Sequence, residues 1–106
     1  MKIGELIKIP KVLGAGLVGE DGFIIDGRST YEYDTEKLGA IAARVINRIK
    51  QSLNAQDASA IIYTQDNVLL LRESTEGIVF VMCQKDANVG LVRIRLSKVA
   101  RAPEVS

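Results

Sequence analysis

The chain has 106 residues, 47% hydrophobic and 25% charged, the composition of one globular domain with enough apolar mass for its own core. Fourteen Lys and Arg stand against thirteen Asp and Glu, and a net charge of +1 provides no overall field toward nucleic acid or an anionic membrane, so any partner must be recognised locally. The absence of histidine, with one cysteine, excludes zinc sites built from His and Cys and removes the commonest general base.

In chain order, the first twelve residues lack a long apolar run with a small-residue cleavage site. No apolar run approaches the roughly 20 residues of a membrane span, so a cytoplasmic protein without membrane insertion is expected. The segment 2–8 fits a short helix or an irregular lead-in that stops near Pro10, because proline disfavours helical backbone in the residue before it. VLGAGLV at 12–18 reads as a strand, Glu20, Asp21 and Gly22 as a tight turn, and FIID at 23–26 as the hairpin partner.

The segment 34–54, DTEKLGAIAARVINRIKQSLN, predicts a long helix. Asp34 or Thr35 can cap it, Glu32 and Glu36 place negative charge near its start, and Arg48 and Lys50 lie toward its end, as the helix dipole prefers. At about 100° per residue, Leu38, Ile41, Ala42, Val45, Ile49 and Leu53 share a face expected to lie on a sheet. Three strands follow, at 58–64, 68–73 and 77–83, joined by connections of hairpin length into an antiparallel meander. LLL and IVFVMC are continuously apolar rather than alternating, which implies a sheet covered on both faces and a buried Cys83. Periodicity alone slightly favours a strand for the last segment, and Gly90 weakens a helix there by about 1 kcal/mol relative to alanine. Period two puts Val92, Ile94 and Leu96 on one side of a strand, whereas a helix capped by Asn88 aligns Val89, Val92, Leu96 and Val99.

The order of these elements resembles the Roadblock family, the dynein light chain roadblock type, whose bacterial and archaeal relatives include regulators of small Ras-like GTPases. The resemblance rests on VLGAGLVGEDGFIIDGRS at 12–29, LGAIAARVINRI at 38–49, VLLLRE at 68–73 and DANVGLVRIRLSKV at 86–99. It favours the helix for 88–101. It implies an α+β fold like that of profilins and longins: a five-stranded antiparallel sheet with the long helix on one face and terminal helices on the other, in a single domain over 1–106. It also implies a homodimer in which third strands pair edge to edge and long helices lie side by side. The 58–64 strand carries no Lys, Arg or Pro to blunt an exposed edge. Ala58, Ala60 and Ile62 are therefore its expected interface residues, and Gly39, Ala43 and Ile46, at roughly 80 to 140° from the expected core face, those of the helix.

Candidate chemistry is sparse. Gly14, Gly16 and Gly19 spell GxGxxG, but a dinucleotide fingerprint opens a helix, whereas this one leads into a turn and a second apolar segment. Gly14 and Gly16 are better explained as room for a helix against the first strand. Asp21, Asp26, Glu32, Asp34 and Glu36 match no calcium-loop spacing, and turn formation and capping account for Asp21 and Asp34. Ser29 and Ser59 have no histidine to activate them. No catalytic residue, metal or cofactor is expected. Arg44, Arg48 and Gln51 lie away from the expected core face and are the candidate contacts for a GTPase, since arginine is enriched at interface anchors. Arg93, Arg95, Lys98 and Arg101 read as the wet flank of a packed helix. Two functions follow from the resemblance: a non-enzymatic GTPase regulator, or a dimeric scaffold in a larger assembly.

Overall fold

The computed structural model describes residues 2–30 and 33–101. Its elements are α1 (Ile3–Leu6), β1 (Val12–Val18), β2 (Ile24–Ser29), α2 (Thr35–Leu53), β3 (Ser59–Tyr63), β4 (Asn67–Glu73), β5 (Ile78–Gln84) and α3 (Val89–Arg101). The five strands form one antiparallel sheet in the order β2-β1-β5-β4-β3, so β2 and β3 are the edges.

Local signals set most boundaries. Asp34 caps α2, its carboxylate accepting from the Lys37 N–H at 3.1 Å, and Asn54 closes it in the left-handed region at φ 50°. Glu32, the other acid expected near this helix start, lies outside the described residues. Asn88 caps α3 by accepting from the Leu91 N–H at 3.1 Å. The terminal segment is thus a helix, and its alternation of apolar and basic residues is not a strand. The β1–β2 turn places Gly22 at φ 88°, and the Asp21 carboxylate accepts from the Phe23 N–H. β2 begins one residue later than expected and runs on to Ser29, with a bulge between its Ile24 and Asp26 partners.

Both sheet faces are covered, as the continuous apolar strands require. On one face α1 and α3, with Ile3, Leu6, Ile9, Val92, Leu96 and Val99, close over Ala15, Leu17, Leu70, Val79 and Val81. One turn of α1 suffices because Ile9, in the loop after it, is buried too. Cys83 is buried in this layer, and burial pushes its thiol pKa up. On the other face α2 packs on Val18, Ile78, Leu69, Leu71 and Phe80.

The rotation of α2 differs from the sequence expectation. Its buried residues are Gly39, Ala42, Ala43 and Ile46, whereas Ile41 is 38% exposed, Leu53 is 72% exposed, and Leu38, Val45 and Ile49 are half-buried. Small residues let the helix approach the sheet, so they line the contact, and the larger apolar stripe rides on the shoulder. A Cβ on Gly39 would lie 3.2 Å from both Ile24 Cδ1 and Val18 Cγ2. Gly39, Ala43 and Ile46 therefore belong to this chain's own core and are not available to pair with another helix.

Candidate protein-interaction surface

β3 ends the sheet, and its hydrogen-bond parity determines what it offers. The Glu73 N–H donates to the Ala58 carbonyl and the Thr64 N–H to the Asn67 carbonyl, so even-numbered residues of this strand face β4. The N–H and C=O groups of Ser59, Ile61 and Tyr63 point outward, along an edge with no basic residue or proline to blunt it. Their side chains lie on the α3 side. Ser59 and Ile61 line a small cleft with Arg93, Leu96 and Ser97, and Tyr63 is 67% exposed.

On the other face Ala60 and Ile62 are half-buried and adjoin Leu69 and Met82. The shoulder of α2, with Val45 and Ile49 half-buried and Ile41 exposed, completes an apolar seam whose second wall is open. Ala58 belongs elsewhere than expected. It is buried, its N–H donates to the Glu73 carboxylate at 3.1 Å and its carbonyl accepts from the Glu73 N–H, so both backbone groups are used within the chain.

A polar cluster fixes α2 beside this edge. The Lys50 ammonium pairs with the Glu73 carboxylate and lies 3.8 Å from Glu20, and Asn47 donates to the Glu20 carbonyl at 3.0 Å. Hydrogen bonding to Lys50 and the Ala58 N–H hold the Glu73 carboxyl below the usual range, and the same carboxylate raises Lys50. A carboxyl lowered in the folded state stabilises the fold above its ordinary pKa and loses that contribution as pH falls through the lowered value; a raised lysine loses its contribution only in alkali. Glu73→Gln is therefore expected to lower the urea midpoint at neutral pH and to flatten its decline toward acid.

An open trough at this end of the sheet is lined by Lys50, Gln51, Asn54, Asp57, Glu73 and Arg101. Its Lys50 and Glu73 are engaged with each other and its Asp57 with Arg72, so these charges serve structural pairs. Among the described residues, no three Asp, Glu or Cys side chains gather where they could hold a metal. Arg44, Arg48 and Gln51 are exposed on the outer face of α2, and neither arginine has an ion-pair partner among the described residues.

The edge and the outer arginines are thus legible in the sequence, whereas the residues of the seam read there as core. Leu38, Ile41, Val45 and Ile49 were legible as a stripe, and their size relative to Gly39, Ala42 and Ala43 was the signal that this stripe is not the contact line.

No protein-family model matches the chain. An uncharacterized protein of Methanocaldococcus jannaschii is 27% identical over 100 residues, covering 91% of this chain and 85% of its own length. A second uncharacterized protein of that organism is 26% identical, with coverage of 91% and 88%. Among solved structures, MglB in a tetrameric arrangement superposes with a TM-score of 0.81 at 14% identity, over 94% of this chain and 80% of that one. A Roadblock/LC7 domain from Streptomyces avermitilis gives 0.78 at 10% identity, over 92% and 88%. MglB of Myxococcus xanthus gives 0.74 at 19% identity, over 91% and 83%.

Proposed function

From the premise that this chain has the Roadblock/LC7 fold, we propose that it is a homodimeric module that binds a small Ras-like GTPase and regulates its nucleotide cycle without active-site chemistry of its own. The observation that carries the reading is the coincidence of an unblunted β3 edge with the open apolar seam beside it. A second copy satisfies both at once. Its β3 continues the sheet, and its α2 shoulder closes the seam.

The paired α2 helices then present Arg44, Arg48 and Gln51 of both copies as one platform. Regulation by such a platform is shape selection. If one nucleotide state of the GTPase fits better, binding shifts the population toward it in proportion to the difference in affinity. Arginine suits this role because its planar guanidinium makes several directed hydrogen bonds while its stem covers apolar surface.

The test is binding of purified Ras-like GTPases from the same genome, loaded with GDP or with a non-hydrolysable GTP analogue. One state should bind more tightly. Arg44→Glu with Arg48→Glu is expected to weaken that binding roughly 100-fold while leaving the solution mass unchanged. Equal affinity for both states, with the dimer intact, would leave the scaffold reading in its place.

A further inference from the structure

The near-neutral net charge conceals a segregated surface. α3 carries Arg93, Arg95, Lys98 and Arg101 and no acidic residue, and all four are exposed. None has an ion-pair partner among the described residues. α1 packs beside α3 with Glu5 as its one carboxylate, and exposed Lys2 and Lys8 flank it on either side. Two shallow grooves between the helices, one lined by Glu5, Arg95 and Lys98 and the other by Glu5, Lys8 and Arg95, bring Lys8, Arg95 and Lys98 together, while Arg93 and Arg101 flank them on the same helix. Lys11 and Arg28 are held by their own carboxylates, Asp86 and Asp26, and do not contribute free charge.

Solvation of a helix does not call for this arrangement, because a soluble surface normally intersperses both signs. The helix dipole favours Lys98 and Arg101 in the last turn of α3. It gives no such reason for Arg93 and Arg95, which lie toward the middle of the helix. Gathering Lys8, Arg95 and Lys98 around the single carboxylate of Glu5 raises their mutual repulsion, and an anionic counterpart relieves it.

We propose that the α1–α3 face adsorbs to an anionic lipid surface. The cations are spread along a helix of about 20 Å and its neighbour, on divergent flexible side chains, so they do not converge on a small anion. A protein partner would be expected to meet a desolvated apolar or aromatic centre, whereas this face exposes Ile94 alone among the large apolar residues of α1 and α3. A flat array of negative headgroups matches diffuse charge with one shallow apolar contact. No described helix is long and apolar enough to cross a membrane, so the attachment is peripheral. Its existence does not depend on dimerisation, but its strength does. α3 packs over β4 and β5 next to the β3 edge, so edge pairing would set two basic faces on the same side of one sheet.

The test is sedimentation of the full chain with vesicles of phosphatidylcholine alone and with phosphatidylserine added. Binding is expected to rise roughly tenfold or more with phosphatidylserine, and to vanish at high salt. Arg95→Glu with Lys98→Glu should abolish it, and Arg95→Gln with Lys98→Gln should weaken it, both with an unchanged circular dichroism spectrum. Absence of sedimentation at low salt overturns the proposal, as does sedimentation that only Arg44→Glu with Arg48→Glu removes. Binding to polyglutamate without binding to vesicles would instead assign the face to an acidic protein. A wild-type monomer that still sediments with anionic vesicles leaves this inference standing while removing the dimer.

Discussion

Ala60→Lys is expected to turn a wild-type dimer into a monomer in light scattering, with far-ultraviolet circular dichroism unchanged. The expectation follows from the parity of β3. Ser59, Ile61 and Tyr63 present their backbone groups outward, so a second copy must align odd residues with odd residues across a two-fold axis. Centring the axis on Ile61 pairs Ser59 with Tyr63 of the other copy and forms about six backbone hydrogen bonds, more than a shift by two in either direction allows in so short a strand. In that register Ala60 lies opposite Ile62 of the other copy, inside the seam. A lysine there keeps its ammonium in water in the monomer, but in the dimer it must desolvate or push the strands apart. The two-fold axis counts the substitution twice, and the expected loss is about 4 kcal/mol or more, roughly a thousandfold in Kd.

The register has its own check. Residues in a hydrogen-bonded antiparallel pair sit about 5.5 Å apart at Cα, within the span of a disulfide. Ile61→Cys should therefore cross-link to itself under mild oxidation, while Ala60→Cys and Ile62→Cys should not, and the native Cys83 is buried and silent. Cross-linking at position 60 or 62 instead would move the axis. A wild-type monomer at micromolar concentration would remove the paired platform altogether.

Gly16→Ala is the substitution expected to damage the monomer itself. A Cβ at this position would lie 2.5 Å from Phe80 Cζ and 2.6 Å from the Asp26 carbonyl oxygen, and Phe80 is fully buried between the sheet and α2. The ring cannot retreat without emptying the space under Ala43 and Ile46, and the carbonyl belongs to the neighbouring strand. Overpacking of this kind costs about 3 kcal/mol. Gly14→Ala, two residues earlier on the same face, meets its nearest atom at 3.5 Å and should change the urea midpoint little. Equal midpoints for the two variants would show that the Phe80 ring and β2 yield more easily than a packed core should. The pair also separates the roles of the two glycines. Gly14 makes room for Leu38 of α2, as the sequence suggested, whereas Gly16 makes room for an aromatic ring of the adjacent strand.

Most elements are legible because the signals are local. Asp34 and Asn88 announce their helices, Gly22 its turn, and the apolar runs at 69–71 and 78–83 a sheet covered twice. The terminal segment was the exception, since Arg93, Ile94 and Arg95 alternate as a strand would, and only the match to the order of the whole chain tipped it to a helix. Arg44, Arg48 and Gln51 were placed outward correctly because polar side chains on an amphipathic helix have one low-energy direction.

The sequence by itself determined the long helix, the first hairpin, the meander of the last three strands and the presence of two apolar layers, because capping, turn geometry and hydrophobic period act over a few residues; the pairing of β1 with β5 is non-local and was decided by the tertiary structure. It could not determine the rotation of α2. Periodicity ranks faces by hydrophobicity, while the distance between helix and sheet is fixed by the smallest side chains between them, and those are Gly39, Ala42 and Ala43. Tertiary structure also decided that Lys8 shares one surface with Arg95 and Lys98, since charges far apart in the chain become neighbours only when two segments pack on the same face of a sheet.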